Sequence, residues 1–278
     1  AYEIYQCDWS SDVCSSDLVY EDADVELDSI KSYLDKNNAN KIKSGLMILS
    51  GGCTMFEIAP YFENLTAFDT NIEQIDLVNN KINLINNNKD IYKNFLENIN
   101  MNFDKMFKNI RNKEDIINIF GRENLIKNFG SNAVENTSEN FAEHFIKVYE
   151  SQSEYHDFIF NRNMDIKIKN YGFYNENISK IKSVNLKNEN IIDFLESSTE
   201  SYDFIQTSNI TDWVSREQFI RICKLLKYKL NKNGILIMRR MLSDNILENE
   251  FNNCIKIKDK TNIYTETILW INNTFDNT

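Results

Sequence analysis

Short apolar runs alternate with helical patterns in the N-terminal part of the chain. The run Leu46–Leu49 has the length of a buried strand, and a helical segment over about 54–61 follows it. The run Leu65–Phe68 precedes Ile72–Ile85, in which apolar residues recur every three or four positions. A further helix is predicted at Asp28–Lys36. Strands that alternate with helices in this way predict a parallel sheet with right-handed crossovers.

The middle of the chain, about 87–178, has a different pattern. Helical periodicity dominates there, in segments at Ile91–Phe107, Lys113–Ile119, Arg122–Phe129 and Glu139–Tyr149. We interpret this stretch as a helical insertion between two parts of the sheet.

The alternation resumes after about residue 180. We predict strands at Ile181–Leu186, Tyr202–Ser208 and Ile235–Met238, helices at Ile191–Leu195 and Arg216–Leu230, and a closing antiparallel pair at Cys254–Ile257 and Tyr264–Ile271. Asn233 and Gly234 predict a turn into the strand that follows them. The predicted fold class is α/β, a Rossmann-like sheet with a helical insertion.

The first eighteen residues match no structural period. The segment Cys7–Leu18 resembles the translation of a common DNA-sequencing adaptor, and Ala1–Ile4 fits the stem of the same adaptor. Residues 1–18 are therefore interpreted as a non-native leader, and the Rossmann-like domain is assigned to residues 19–278. A genuine disordered leader is the alternative.

The charge balance narrows the classes of partner. The formal net charge is −11, and it becomes −7 without the leader, which holds four acidic residues and no lysine or arginine. A negative chain is poorly suited to displacing counterions from nucleic acid, so no nucleic-acid partner is expected. No apolar run reaches the ~18 residues of a membrane-spanning helix, and no secretory signal is visible.

Cysteine usage points to a reducing compartment. Beyond the leader, Cys53, Cys223 and Cys254 form no CxxC pair and no metal-ligand spacing. We therefore expect these cysteines to pack in the core, predict no metal site, and expect a cytoplasmic location.

The first chemical signal is the turn formed by Ser50, Gly51 and Gly52, between a predicted strand and a predicted helix. Glycines at this place let the backbone approach a ligand closely, and the helix that follows presents free N–H groups. A plain turn between strand and helix is the alternative.

The second signal is Asp69, at the end of the second predicted strand and seventeen residues after Gly52. A carboxylate there can accept hydrogen bonds from both hydroxyls of a ribose. The alternative is that Asp69 caps the helix that follows. Since the turn lacks a full GxGxxG pattern and the chain has no P-loop, an adenosyl ligand without pyrophosphate is favoured.

The residues that begin at Asp69 carry a family resemblance. The stretch Asp69–Lys81 has the pattern D-x-N-x-x-Q…L-x-x-x-K, and Ser208–Trp213 reads S-N-I-T-D-W. Both resemble segments of the S-adenosylmethionine:diacylglycerol 3-amino-3-carboxypropyltransferase family, the first enzyme of betaine-lipid synthesis. Shorter stretches resemble the family in the same order, at Val19–Asp22, Ile48–Gly52, Phe120–Arg122, Phe129–Gly130 and Ile237–Arg240.

The resemblance implies a class I S-adenosylmethionine-dependent transferase sheet with S-adenosylmethionine as cofactor. The cofactor-binding residues are then Ser50, Gly51, Gly52, Asp69, Asn71, Gln74 and Asn209. The family transfers the 3-amino-3-carboxypropyl group to a glycerol hydroxyl and leaves methylthioadenosine. The implied partner is a diacylglycerol-like lipid, with peripheral membrane contact as a further expectation.

Candidates for the base that takes the hydroxyl proton are few. Asp212 follows the fourth strand, and His156 lies between a tyrosine and an aspartate. Asp212 has the alternative role of capping the helix after it. Arg239 and Arg240 end the fifth strand, where one of them either pairs with a ligand carboxylate or forms a surface salt bridge.

Other hypotheses stay open at this point. The segment Tyr20–Asp22 either folds over the cofactor or is a frayed end. The chain is alternatively a methyltransferase acting on a small molecule, which would release S-adenosylhomocysteine, or a non-catalytic binding protein that retains the fold.

Overall fold

The computed structural model describes residues 21–87, 114, 184–240, 245–259 and 264–273. The predicted leader, His156 and all of the predicted insertion except residues 87 and 114 lie outside these residues. The leader and the insertion therefore stay predictions.

The described residues contribute seven strands to one sheet, in the order β3-β2-β1-β4-β5-β7-β6. The strands are β1 (Ile42–Ile48), β2 (Phe62–Asp69), β3 (Val184–Asn188), β4 (Tyr202–Gln206), β5 (Leu230–Arg240), β6 (Ile255–Lys256) and β7 (Glu266–Ile271). Strands β1 to β5 pair in parallel, and β7 is antiparallel to both β5 and β6. The predicted Rossmann-like α/β sheet, with its closing antiparallel pair, is confirmed. Because chain order reverses at β1, the topological switch point lies between β1 and β4.

Helices cover both faces of the sheet. The described helices are α1 (Asp24–Asn37), α2 (Cys53–Ile58), α3 (Ile72–Asn87), α4 (Ile191–Ser197) and α5 (Arg216–Lys229), with short 3₁₀ turns at Ala59–Tyr61, Ile210–Trp213 and Leu247–Asn249. Apolar residues of α1, α2 and α3 belong to one buried cluster, and those of α4 and α5 belong to the other. The two clusters are the two faces of a doubly wound sheet.

Neighbouring residues of each strand contribute to opposite clusters, as the period of two requires. In β1, Met47 packs with α1 to α3 while Leu46 packs with α4 and α5. On α3, Ile75, Val78 and Ile85 are buried, which confirms the predicted apolar stripe. The expected core packing of the cysteines holds for Cys53 and Cys223, while Cys254 is half-buried.

Strand β1 begins four residues before the predicted apolar run. Ile42 pairs with Phe62 and Ser44 pairs with Asn64, although Lys43 between them is exposed. Backbone pairing does not require apolar side chains, so the ladder continues past the buried run.

The predicted turn at Asn233 is wrong, because β5 continues through it. Tyr202 pairs with Leu230 and Phe204 with Ile235, so β5 accommodates extra residues between these two pairs. Asn233 takes the left-handed conformation at φ 62°, and its N–H donates to the carbonyl oxygen of Asn272 at 2.8 Å. The turn signal therefore marks an irregularity inside the strand.

Gly45 in β1 provides a test of this packing. A Cβ at this position would lie 2.4 Å from the ring of Phe62, which itself packs edge-on against Phe204. We expect Gly45→Ala to lower the free energy of unfolding by about 1–3 kcal/mol, the usual effect of overpacking. Urea denaturation measures this change.

The control for Gly45→Ala is the double variant with Phe62→Leu. The smaller side chain at position 62 makes room for the methyl group. The double variant should therefore lose less free energy of unfolding than the two single variants lose in total. Strict additivity would contradict the contact described here.

Candidate functional site

The turn after β1 has its shape set by helix α3. Ser50 and Gly52 both have positive φ, at 45° and 80°, and the N–H of Gly52 donates to the carbonyl oxygen of Leu49 at 2.9 Å. A Cβ on Gly52 would lie 2.9 Å from a methyl carbon of Val78 in α3. Position 52 therefore requires glycine both for its conformation and for packing against α3.

Lys81 stabilises the same turn through a hydrogen bond to its backbone. It is buried on α3, and its Nζ donates to the carbonyl oxygen of Gly51 at 2.7 Å. A buried ammonium group is costly unless it is hydrogen-bonded. The lysine that ends the D-x-N-x-x-Q…L-x-x-x-K pattern thus positions the backbone of the predicted cofactor turn.

Asp69 ends β2 beside this turn. Its Oδ1 accepts a hydrogen bond from the N–H of Asn71 at 2.9 Å. Burial raises the pKa of Asp69, and backbone hydrogen bonds from Asn71, Ser50 and Thr70 lower it again. The N–H of Leu49 donates to the carbonyl oxygen of Phe68 at 2.9 Å, so the start of the β1 turn lies beside the end of β2 and the structure brings Ser50 and Asp69 close together.

Asp69 does not cap the next helix, because α3 begins at Ile72 and Asn71 directly precedes it. Asn71 is half-buried, and its carbonyl oxygen accepts from the N–H of Gln74 at 3.1 Å. Gln74 is buried on α3. These two predicted residues therefore stand at the start of the helix that shapes the turn.

The residues after β4 lie at the same edge of the sheet, since the carboxyl ends of parallel strands meet there. Asn209 donates from Nδ2 to Oδ2 of Asp212 at 3.1 Å, and Asp212 is fully buried. The capping role considered for Asp212 is wrong. Ser215 caps α5, in a reciprocal capping box with Gln218.

Glu21 connects the β1 turn to the end of β4, a role that the sequence interpretation missed. Its Oε2 accepts from Oγ1 of Thr54 at 2.7 Å and from Nε2 of Gln206 at 2.9 Å. Its Oε1 accepts from the hydroxyl of Ser208. Glu21 and Asp22 are only 4% and 6% exposed, so the frayed-end interpretation is wrong for these two residues. The signal for this role in the sequence was the Glu-Asp pair in Val19–Asp22, a segment that resembles the family.

Arg239, at the end of β5, is fully buried and bound by carboxylates of this chain. It makes two hydrogen bonds to Glu26 of α1, at 2.5 and 3.0 Å, and Nε donates to Asp259 at 2.9 Å. Glu21 lies 3.8 Å away. Both roles considered for Arg239 are therefore wrong. Arg240 is half-buried and bonds to Glu266 at 3.0 Å.

We call Glu21, Glu26, Asp259 and Arg239 the Arg239 cluster. It sets three carboxylates against one guanidinium. Burial raises the pKa of Glu26 to about 7, while Arg239 opposes the shift. Burial likewise raises the pKa of Tyr264, whose ring centroid lies 5.5 Å from the Arg239 guanidinium carbon.

Asp259 and Tyr264 also line a cavity of about 490 Å³ between the end of β5 and the β6–β7 pair. Arg240 lines this cavity, whereas none of the predicted cofactor-binding residues does. Within the described part of the chain, no group of three or more His, Cys, Asp or Glu residues could hold a metal ion. The site is therefore assigned from the sheet edge and its carboxylates.

No protein-family model matches this chain, and no curated protein matches it. Among solved structures, it is similar to the N-methyltransferase NodS from Bradyrhizobium japonicum in complex with S-adenosyl-L-homocysteine, at 9% identity and a TM-score of 0.43 over 92% of this chain and 90% of that one. It is also similar to the rRNA methyltransferase aviRa from Streptomyces viridochromogenes, at 8% identity and a TM-score of 0.40 over 90% and 85% of the two chains.

A third similar structure is an S-adenosylmethionine-dependent methyltransferase from Clostridium acetobutylicum, at 12% identity and a TM-score of 0.37 over 89% of this chain and 61% of that one. TM-scores below 0.5 do not establish a shared fold. The fold assignment therefore rests on the strand order and pairing of the sheet itself.

The raised pKa of Glu26 predicts a pH-dependent stability. Between the ordinary pKa of 4.5 and the folded value of about 7, the folded state binds more protons than the unfolded state. The contribution of Glu26 to the free energy of unfolding should therefore fall as pH rises through this window. Glu26→Gln should remove that part of the slope, as measured by urea denaturation at several pH values.

The control for Glu26→Gln is Glu248→Gln, at an exposed residue paired with Lys256. That variant should keep the slope of the wild-type chain. Equal slopes for the wild-type chain and Glu26→Gln would contradict the assignment of the proton to Glu26.

Proposed function

We propose that this chain binds S-adenosylmethionine at the carboxyl edge of its sheet and transfers a group from it. The observation that carries the proposal is the Asp69 carboxylate, which ends β2 beside the turn after β1. Open α/β sheets bind nucleotide ligands at this edge, beside the switch point, and an acidic residue at the second strand accepts the ribose hydroxyls.

The described residues fit such a cofactor. Asp69 offers acceptors for a ribose, and the turn from Ser50 to Gly52 lies next to it. The turn lacks the glycine spacing of a pyrophosphate site, which favours a ligand without one. At the end of β4, Oε1 of Gln206 is buried and has no hydrogen-bond partner among the described residues. This oxygen can accept a hydrogen bond from a polar group of a ligand.

The finer proposal is transfer of the 3-amino-3-carboxypropyl group to a hydroxyl of a diacylglycerol-like lipid. Its support is the family resemblance of Asp69–Lys81 and Ser208–Trp213. Asp69 and Ser208 both stand at the carboxyl edge of the sheet, and Lys81 reaches the turn between them. The segments Asp69–Lys81 and Ser208–Trp213 therefore both contribute residues to the carboxyl edge of the sheet.

When bound, S-adenosylmethionine would supply an electrophilic γ-carbon next to its sulfonium. Attack by a hydroxyl oxygen would form a C–O bond, break the bond between that carbon and sulfur, and release methylthioadenosine. The residues of the chain have two tasks in this reaction: to hold the two reactants in line and to accept the hydroxyl proton. Asp212 and His156 stay the proposed bases. Asp212 is oriented by its hydrogen bond from Asn209.

We also propose that the acceptor is a lipid and that the protein contacts the membrane peripherally. In the described segments, no helix has the length and apolar character needed to cross a membrane. The net charge of −7 outside the leader gives no general attraction to anionic lipid, so we assign contact with the acceptor to local apolar surface.

Asp69→Asn tests cofactor binding. We expect the affinity for S-adenosylmethionine and for methylthioadenosine to fall about tenfold or more, because a hydrogen bond to a charged group is worth about 1.5–3 kcal/mol. Isothermal titration calorimetry measures both affinities. Asp76→Asn, at an exposed position of α3, is the matched control and should bind both ligands like the wild-type chain. Unchanged affinities in Asp69→Asn would reject the ribose site.

The by-product separates the candidate reactions. We expect incubation of the full chain with S-adenosylmethionine and diacylglycerol vesicles to yield methylthioadenosine together with a lipid that carries the aminocarboxypropyl group. Liquid chromatography with mass spectrometry detects both products. S-adenosylhomocysteine would instead identify a methyltransferase, and binding without either by-product would favour a non-catalytic protein.

A further inference from the structure

Gln206 presents an unused acceptor at the switch point. Its side chain is 1% exposed, and Nε2 donates to Oε2 of Glu21 at 2.9 Å. Two facing acceptors would repel, so the amide nitrogen must point towards the Glu21 carboxylate. The amide oxygen of Gln206 is then left buried with no hydrogen-bond partner in the described part of the chain. A buried acceptor of this kind is costly unless a donor reaches it.

Glu21 has acceptor capacity at the same place. A carboxylate oxygen can accept about two hydrogen bonds. Oε2 receives bonds from Thr54 and Gln206, while Oε1 receives one bond, from Ser208, among the described residues. These three neutral donors fix the orientation of the carboxylate without neutralising its charge.

The charge around this place favours a cation as the missing donor. Glu21 is held in the Arg239 cluster, where one guanidinium is shared among three carboxylates. Arg239 is closer to Glu26 and Asp259, at 2.5 and 2.9 Å, than to Glu21 at 3.8 Å. A ligand carboxylate would be repelled there, whereas an ammonium group would add positive charge and three N–H donors.

The position agrees with one end of the proposed cofactor. Thr54, which donates to Glu21, lies at one end of the β1 turn, and Leu49, which donates to the carbonyl oxygen of Phe68 next to Asp69, lies at the other. Glu21 and Asp69 therefore flank the same turn from its two ends. A ligand that placed its ribose on Asp69 and crossed the turn would meet Glu21 and Gln206.

We propose that Glu21 and Gln206 bind the α-ammonium group at the amino-acid end of S-adenosylmethionine, an assignment that rests on the proposed function. The ammonium donates to Oε1 of Glu21 and to Oε1 of Gln206. Since this ammonium belongs to the aminocarboxypropyl group, the two residues hold the part of the cofactor that the proposed reaction transfers. They also select for ligands that carry an amino-acid end.

The test compares two ligands that share adenosine and differ at the amino-acid end. Affinities of the wild-type chain and of Glu21→Gln for S-adenosylhomocysteine and for methylthioadenosine are measured by isothermal titration calorimetry. We expect Glu21→Gln to lose at least about tenfold in affinity for S-adenosylhomocysteine, the loss typical of a charged hydrogen bond. Its affinity for methylthioadenosine, which lacks the amino-acid end, should match that of the wild-type chain.

Glu26→Gln is the matched control, because it removes one carboxylate from the same cluster without contact to Thr54, Gln206 or Ser208. Its ratio of the two affinities should stay within about twofold of the wild-type ratio, well inside the tenfold that one charged hydrogen bond represents. An equal change in both variants would assign the effect to the general field of the cluster and would overturn the proposal.

A second measurement needs no variant at position 21. The wild-type chain should bind an S-adenosylhomocysteine analogue without the α-amino group at least about tenfold more weakly than the parent compound. Gln206→Met, which removes the amide oxygen at similar volume, should reduce this discrimination. Equal binding of the two compounds by the wild-type chain would overturn the proposal.

The outcomes separate this inference from the proposed function. If the wild-type chain binds methylthioadenosine through Asp69 but does not distinguish the two amino-acid analogues, the ammonium site is wrong and the cofactor assignment stands. If the wild-type chain binds neither methylthioadenosine nor S-adenosylhomocysteine, the proposed function itself is rejected, and the ammonium site with it.

Discussion

The buried ion network around Arg239 is the constraint on which the carboxyl edge of the sheet depends. A guanidinium with no exposed surface is tolerated only when carboxylates neutralise it and satisfy its donors. Glu21 and Glu26 come from the segment that leads into α1 and begins it, and Asp259 follows β6, so one side chain of β5 connects two separate parts of the chain. Removing one partner from such a network leaves a buried charge unpaired, which typically costs about 3–5 kcal/mol.

This network also explains why the N-terminal segment reaches the switch point. Glu26 and Asp259 bind Arg239, and Glu21, just before α1, contacts the end of β4 through Gln206. Glu21, one of the two acceptors proposed for the ligand ammonium, therefore comes from the N-terminal segment, whereas the rest of the proposed site comes from strands and the turns after them. The segment that leads into α1 thus also supplies the proposed ammonium acceptor.

The side of the β1 turn that faces α3 is held by different contacts. Helix α3 presses Val78 against Gly52 and reaches the carbonyl of Gly51 with Lys81, while Asp69 ends the strand that leads into this helix. The turn is thereby shaped by packing and by a buried lysine. Two carboxylates, Asp69 and Glu21, lie at the two ends of this turn and are held there by unrelated elements.

The sequence by itself determined the alternation of strands and helices and the position of Asp69 at the end of β2, because periodicity and strand ends are local properties of the chain. Element boundaries shifted where backbone pairing continued past the apolar run, as at Ile42, or through a turn signal, as at Asn233. Only the tertiary structure decided the roles of Glu21 and Arg239. The contacts of Glu21 with Gln206 and of Arg239 with Glu26 each join residues more than 180 positions apart, and no local pattern encodes which buried carboxylate meets which cation or amide.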